Sequence, residues 1–282
     1  MIDSLLRDEY HAAVVLLRSD FAGYLDLVEV APRDMALATF LTTEGVLLKD
    51  ALEPYFRMAS PLLDALIRDL VIHTKFPNAP SVTPPKRDNE TALNVLAVLI
   101  ESLKFFDKDL IRLAASRSHK ISPVKVPGSP ENRVPRESVY DTELMRILSN
   151  WLQVLYGWTV TGQWHLKNRL KEHKYPDIVI KKSNHPTVVL ELLATGDRHS
   201  VQSHIEKTPE YMALLSADEA WVVHFTCQDP YPPVWPSSAG LEKGVNVVHF
   251  AHDLTFTRVL MSTHWKDCAG NIVQVINTPL VV

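Results

Sequence analysis

Apolar residues recur at helical spacing near the start of the chain and at strand spacing near its end, with two proline-rich stretches between. Leu5, Leu6, Ala13, Leu16 and Leu17 share one side of a helix predicted over Asp3 to Arg18. A second helix is predicted from Arg33 to Leu41, then short extended pieces at Gly45 to Leu48 and Pro54 to Met58. Ser60-Pro61 supplies an N-cap and a first-turn proline for a third helix running to Ile72. Helices followed by a small hairpin look like a winged helix-turn-helix, although three helices and a hairpin are also a common generic module.

Pro77, Pro80, Pro84 and Pro85 interrupt all periodicity, so Phe76 to Arg87 reads as a linker or surface loop. Asn89 to Ala115 then repeats apolar residues at helical spacing, predicting one bridging helix about 40 Å long at 1.5 Å per residue. A second loose stretch, Ser118 to Arg136, holds Pro123, Pro127, Pro130 and Pro135. Beyond it the expected order is a helix (Ser138 to Leu152), extended pieces at Trp158 to Leu166, Ile178 to Ile180 and Val188 to Leu193, a helix (Ser200 to Leu215) and a buried strand (Ala220 to Thr226). Further strands are expected at Asn246 to Phe250, Phe256 to Ser262 and Ile272 to Ile276. The reading is an α/β chain with an αβββαβ core. Its parts are a helical module (residues 1–76), a linker with the bridging helix (77–137) and an α/β domain (138–282).

Composition adds exclusions. With 282 residues, 46% hydrophobic, the chain can bury a full core or two. A net charge of −4 does not suggest a uniformly basic nucleic-acid binder, although a local basic patch can contact phosphates on an acidic protein. Cys227 and Cys268 lack disulfide-framework and zinc spacing and read as reduced thiols. Residues 1–10 carry Asp3, Arg7, Asp8 and Glu9, leaving no apolar signal-peptide stretch, and no run of 18 apolar residues predicts a membrane span.

The chemistry concentrates in two acids. Asp177 follows Pro176 at the start of one strand, and Glu191 lies inside the apolar run Val188 to Leu193 of the next. An ionised carboxylate buried there without a partner costs several kcal/mol. A divalent cation shared with Asp177 would compensate it, and carboxylates with open positions suit octahedral Mg²⁺ or Mn²⁺.

Pro176-Asp177 followed by Glu191-Leu192-Leu193, with Glu143 on the preceding helix and the αβββαβ order around them, resembles the PD-(D/E)XK nuclease superfamily of restriction-endonuclease-like folds. The resemblance covers residues 138–226. It implies Asp177 and Glu191 as metal ligands and Glu143 as a further acid of the site. The alternative for Glu143 is a solvent-facing acid in a first helical turn. The family places a lysine two residues after the strand acid, where this chain has Leu193. On the following helix His204, Lys207 and Tyr211 share a face, and Lys207 is the candidate for a migrated lysine. Pro209 is expected to break or restart that helix with Thr208 as its cap. Lys181 and Lys182, at the far end of the Asp177 strand, are less well placed.

Residues 134–140, 162–166, 190–195 and 220–225 together resemble the C-terminal part of crinkler-type effectors of arbuscular mycorrhizal fungi. That resemblance implies an effector acting on DNA in the host nucleus, with host proteins as further partners and no membrane. No G-x-x-x-x-G-K-[ST] occurs in these residues. Between the first two strands Lys167, Arg169, Lys171 and Lys174 offer a phosphate-gripping loop, or a solvated turn. Trp164 reads as core or as a base-stacking residue, and Gln163 as an inward polar group or an edge residue. His224, His249 and His252 read as strand histidines, and Asn89 as an N-cap.

Three functions are therefore expected in order: a Mg²⁺-dependent endonuclease on DNA, a catalytically inactive nuclease-derived module that binds DNA or protein, and an interaction domain with no nucleic-acid contact.

Overall fold

A computed structural model describes residues 1–52, 54–87, 92–117, 121–122, 124–129, 132–162, 166–167, 173–267 and 269–282. The chain is mixed α/β, with helices flanking a large mixed sheet.

The N-terminal part contains α1 (Ile2–Leu5), α2 (His11–Leu16), β1 (Val28–Glu29), α3 (Met35–Thr43), β2 (Leu47–Lys49), β3 (Tyr55–Met58), α4 (Pro61–Leu66) and α5 (His73–Lys75). Its three strands pair in the order β1-β3-β2, and Leu5, Leu17, Phe21, Leu41, Phe56 and Ile72 fill one apolar core. Ser60 accepts a hydrogen bond from the Leu63 N–H at 3.2 Å, so the cap read from Ser-Pro begins α4. Between β1 and the hairpin stands α3, preceded by a single 3₁₀ turn, instead of two helices joined by a short turn.

The bridging helix divides into α6 (Val95–Leu103) and α7 (Lys108–Arg117). Residues 104–106 close successive tight turns, and Asp107 caps α7 by accepting from the Leu110 N–H at 3.0 Å. The break swings Phe106 into the core, where it stacks on Phe256 at 5.5 Å. Burial of that aromatic ring favours the break.

The C-terminal part holds α8 (Glu137–Leu148), β4 (Thr159–Gly162), β5 (Leu166–Lys167), β6 (His173–Lys174), β7 (Ile178–Lys181), β8 (Val188–Ala194), α9 (Arg198–Leu215), β9 (Glu219–Thr226), α10 (Ser238–Glu242), β10 (Val245–His252), β11 (Val259–Lys266) and β12 (Ile272–Leu280). Seven strands run in the order β12-β11-β10-β9-β8-β7-β4, with β8, β9 and β10 mutually parallel and the others antiparallel to their neighbours. Every residue of β8 and β9 is buried, which explains their mostly apolar sequences: both faces are covered. Leu190 and Leu192 face the core shared with α6, α7 and α8, and Val189 and Leu193 face α9.

Two sequence expectations fail locally. Phe256 lies outside β11, in the turn before it, with positive φ and its ring fully buried. Helix α9 runs unbroken through Pro209. The Thr208 hydroxyl donates to the His204 carbonyl at 2.7 Å, adding a bond in the turn where proline removes one.

Candidate functional site

The strand register decides the geometry. The β7–β8 ladder pairs Val179 with Val189 and ends at Ile178 and Leu190, so Asp177 and Glu191 are the next residue on each side of its last pair. Directly opposed residues of an antiparallel pair point to the same face. Asp177 sits where β7 begins, and its Oδ2 accepts from the Leu192 N–H at 2.7 Å, which ties the carboxylate to the Glu191 strand.

Glu191 is 2% exposed by side chain, and α9 delivers its partners. The Lys207 Nζ lies 2.5 Å from Glu191 Oε1. The His204 Nδ1 stands 3.2 Å from the same oxygen without hydrogen-bond alignment, and Tyr211, one turn beyond Lys207, has its ring 5.8 Å from the ammonium. The face shared by His204, Lys207 and Tyr211 therefore survives Pro209. Glu191 Oε2 is buried with no hydrogen-bond partner.

Burial and then the Glu191 charge push the Asp177 carboxyl well above its usual value, with Asp141 and Glu137 adding to the rise and the Leu192 N–H opposing it. Burial, with the charges of Glu191 and Asp177, likewise raises the Tyr211 phenol. Four acids thus act on one place, two of them from α8.

The acids from α8 are not the expected one. Glu143 is fully buried and belongs to a separate, closed network. Its Oε1 accepts from Arg18 Nε at 3.0 Å and Nη2 at 2.5 Å, and its Oε2 from Arg146 Nη2 and the Asp107 N–H, both at 3.0 Å. Its carboxyl lies below the ordinary value because the two guanidiniums outweigh burial. Glu143 is neither a site residue nor a solvent-facing acid. Two residues along a helix turn a side chain about 200°, so Asp141 and Glu137 occupy the other flank of α8. Asp141 is buried too, with Oδ2 accepting from Arg68 Nη1 at 2.8 Å and Oδ1 unpartnered. Burial raises its carboxyl to about 6 against the pull of Arg68.

Leu193, at the family's lysine position, faces α9 in the core. Lys182 points elsewhere, donating to the Tyr156 carbonyl at 2.7 Å. Of the basic loop, Arg169 and Lys171 lie outside the described residues, as do Gln163, Trp164 and Asn89. For Lys167 and Lys174 the backbone alone is described, in the short β5–β6 hairpin.

The strand histidines are structural. The Gly196 N–H donates to His224 Nε2 at 3.2 Å, and His249 Nε2 bonds the Val234 carbonyl at 2.8 Å. Burial lowers His249 and His252 to about 4, so both are neutral at physiological pH. Burial raises the Cys227 thiol to about 12, so it is an unreactive free thiol, while Cys268 lies outside the described residues.

Among the described residues no three His, Cys, Asp or Glu side chains converge as a metal-ligand set. The pair Asp177 and Glu191 nevertheless fits a hard divalent cation that takes one or two carboxylates and completes its shell with water and phosphate oxygens. The orphaned Oε2 and the mutual repulsion of the two carboxylates are what such an ion would relieve. No protein-family model, curated protein or solved structure matches the chain. No described helix is long and apolar enough to cross a membrane.

Proposed function

We propose that the chain is a DNA-binding, crinkler-like effector module with a PD-(D/E)XK nuclease-like core that acts as a Mg²⁺- or Mn²⁺-dependent endonuclease in the host nucleus. The observation that carries this reading is that Asp177, immediately before β7, holds the Leu192 N–H next to Glu191 on β8, with Lys207 from α9 on the buried glutamate. The element order α8-β4-β7-β8-α9-β9, with the β5–β6 hairpin inserted between β4 and β7, supports it as well.

Asp177 and Glu191 would hold the ion, which when bound lowers the pKa of a water and offsets charge on the scissile phosphate. Lys207 does the work of the missing strand lysine: its ammonium is within reach of a phosphate oxygen at the same carboxylates. His204, largely buried beside it, adds an imidazole as a second neighbour of the same Glu191 oxygen. Asp141 and Glu137 keep the centre acidic, so it accepts a cation before it accepts a phosphate.

The direct test is cleavage of plasmid DNA in Mg²⁺ or Mn²⁺ by the wild type and by Asp177→Ala with Glu191→Ala. The double variant should lose cleavage and keep binding, and a wild type inactive with both ions would remove the enzymatic reading. Leu193 in place of lysine favours a second reading, an inactive nuclease-derived module that binds DNA or a host protein. In that case gel shifts survive EDTA and no cut appears. Charge reversal at Lys167, Arg169 and Lys171 tests DNA contact itself: an unchanged salt slope would leave an interaction domain without nucleic acid.

A further inference from the structure

The last strand of the sheet contains a palindrome: Asn271-Ile272-Val273-Gln274-Val275-Ile276-Asn277. It is also an edge strand, since β12 ends the seven-stranded order and pairs with β11 on one side. The Asn271 carbonyl accepts from the Asp267 N–H at 2.9 Å, on the β11 side. Alternation along the strand up to Val275, the last pair before a register shift, then turns the N–H and C=O groups of Ile272 and Gln274 away from the sheet, and Ile276 continues that row. Their side chains are exposed, Ile272 and Ile276 each by 52%, whereas Val275 packs on the core.

Exposed edges ordinarily carry a charge, a proline or a bulge that blocks further pairing. Residues 272–276 carry neither charge nor proline. Those devices begin at the end of that segment: the register with β11 shifts between the Thr263–Val275 and Met261–Thr278 pairs, Asn277 has a left-handed φ of 52°, and Pro279 follows.

We propose that β12 is a homodimer interface in which two copies pair antiparallel about a twofold axis at Gln274, continuing the sheet from one copy into the other. In that register Ile272 meets the second copy's Ile276, Val273 meets Val275, and Gln274 meets itself. Like meets like throughout, β-branched residues cover the exposed isoleucines, and the outward N–H and C=O groups of all three residues find partners. A shift of the axis to Val273 or Val275 would set isoleucine against glutamine. The occupant is thus a second copy of this chain, because its own sequence is complementary to itself in the hydrogen-bonded register. This inference does not depend on the nuclease reading.

The test uses the full chain. Sedimentation of the wild type should give a dimer at roughly 10 µM and above. Ile276→Lys should give a monomer with unchanged far-UV circular dichroism, as the side chain is exposed. In a Cys268→Ser background, Gln274→Cys should form a disulfide-linked dimer under mild oxidation. Facing Cα atoms of a hydrogen-bonded antiparallel pair lie about 5.5 Å apart, within disulfide reach. Thr278→Cys, far from the axis, should not cross-link. A wild type monomeric at roughly 100 µM, a dimer that persists in Ile276→Lys, or equal cross-linking at positions 274 and 278 would each overturn the proposal.

Discussion

Two buried glutamates, Glu143 on α8 and Glu191 on β8, have nearly the same exposure and opposite circumstances. Both oxygens of Glu143 are bonded, by two guanidiniums and a backbone N–H that join α2's continuation, α8 and the turn before α7. Glu191 has one oxygen beside Lys207 and His204, the other unpartnered, and a second carboxylate across the ladder. The first arrangement locks the N-terminal part onto α8. The second leaves electrostatic demand unmet, which is the condition under which an active site takes up a cation or substrate.

That contrast is sharpened first by stability. Glu143→Ala strands Arg18 and Arg146 in the interior and should cost about 3–5 kcal/mol in urea unfolding. Glu191→Gln leaves a third-exposed Lys207 that can turn to water, so its loss should stay below about 1 kcal/mol. Equal losses would break the distinction. Next in size, Lys207→Ala should reduce cleavage by about 10²-fold or more while changing stability little.

A smaller effect concerns Asp177→Asn. The folded carboxyl lies above its unfolded value, so burying the charge costs stability that grows as pH rises from about 4 toward the folded value. The amide should therefore stabilise the protein near pH 7 and flatten that part of the pH profile, as read by urea unfolding across that range. Glu143 has the opposite sign: its contribution is present above its unfolded value and is lost as pH falls through the lower folded one. Asp141→Asn should remove a milder loss of stability between about pH 4 and the folded value of about 6.

The sequence carried the sheet and the α9 face well because their signals are local. Alternation and apolar runs mark β7, β8 and β9, and i, i+3, i+7 spacing brings His204, Lys207 and Tyr211 to one side of α9. The α8 acids were illegible for a tertiary reason. That helix is buried all round from Val139 to Leu148, with the N-terminal part covering the side a helical wheel assigns to solvent. Charge no longer marks exposure there, so Glu143 looked available while Arg18, 125 positions away, had already claimed it. Asp141 was hidden likewise, its partner Arg68 lying in another segment. The break between α6 and α7 depends on where Phe106 finds its stacking partner, which helical spacing cannot contain.

Calorimetric titration of Mn²⁺ into the wild type and into Asp177→Asn with Glu191→Gln tests the acidic centre most directly. Saturable binding to the wild type that disappears in the double variant and persists in Glu143→Gln is the expected result. Failure of the wild type to bind the ion, or undiminished binding by the double variant, would contradict the account.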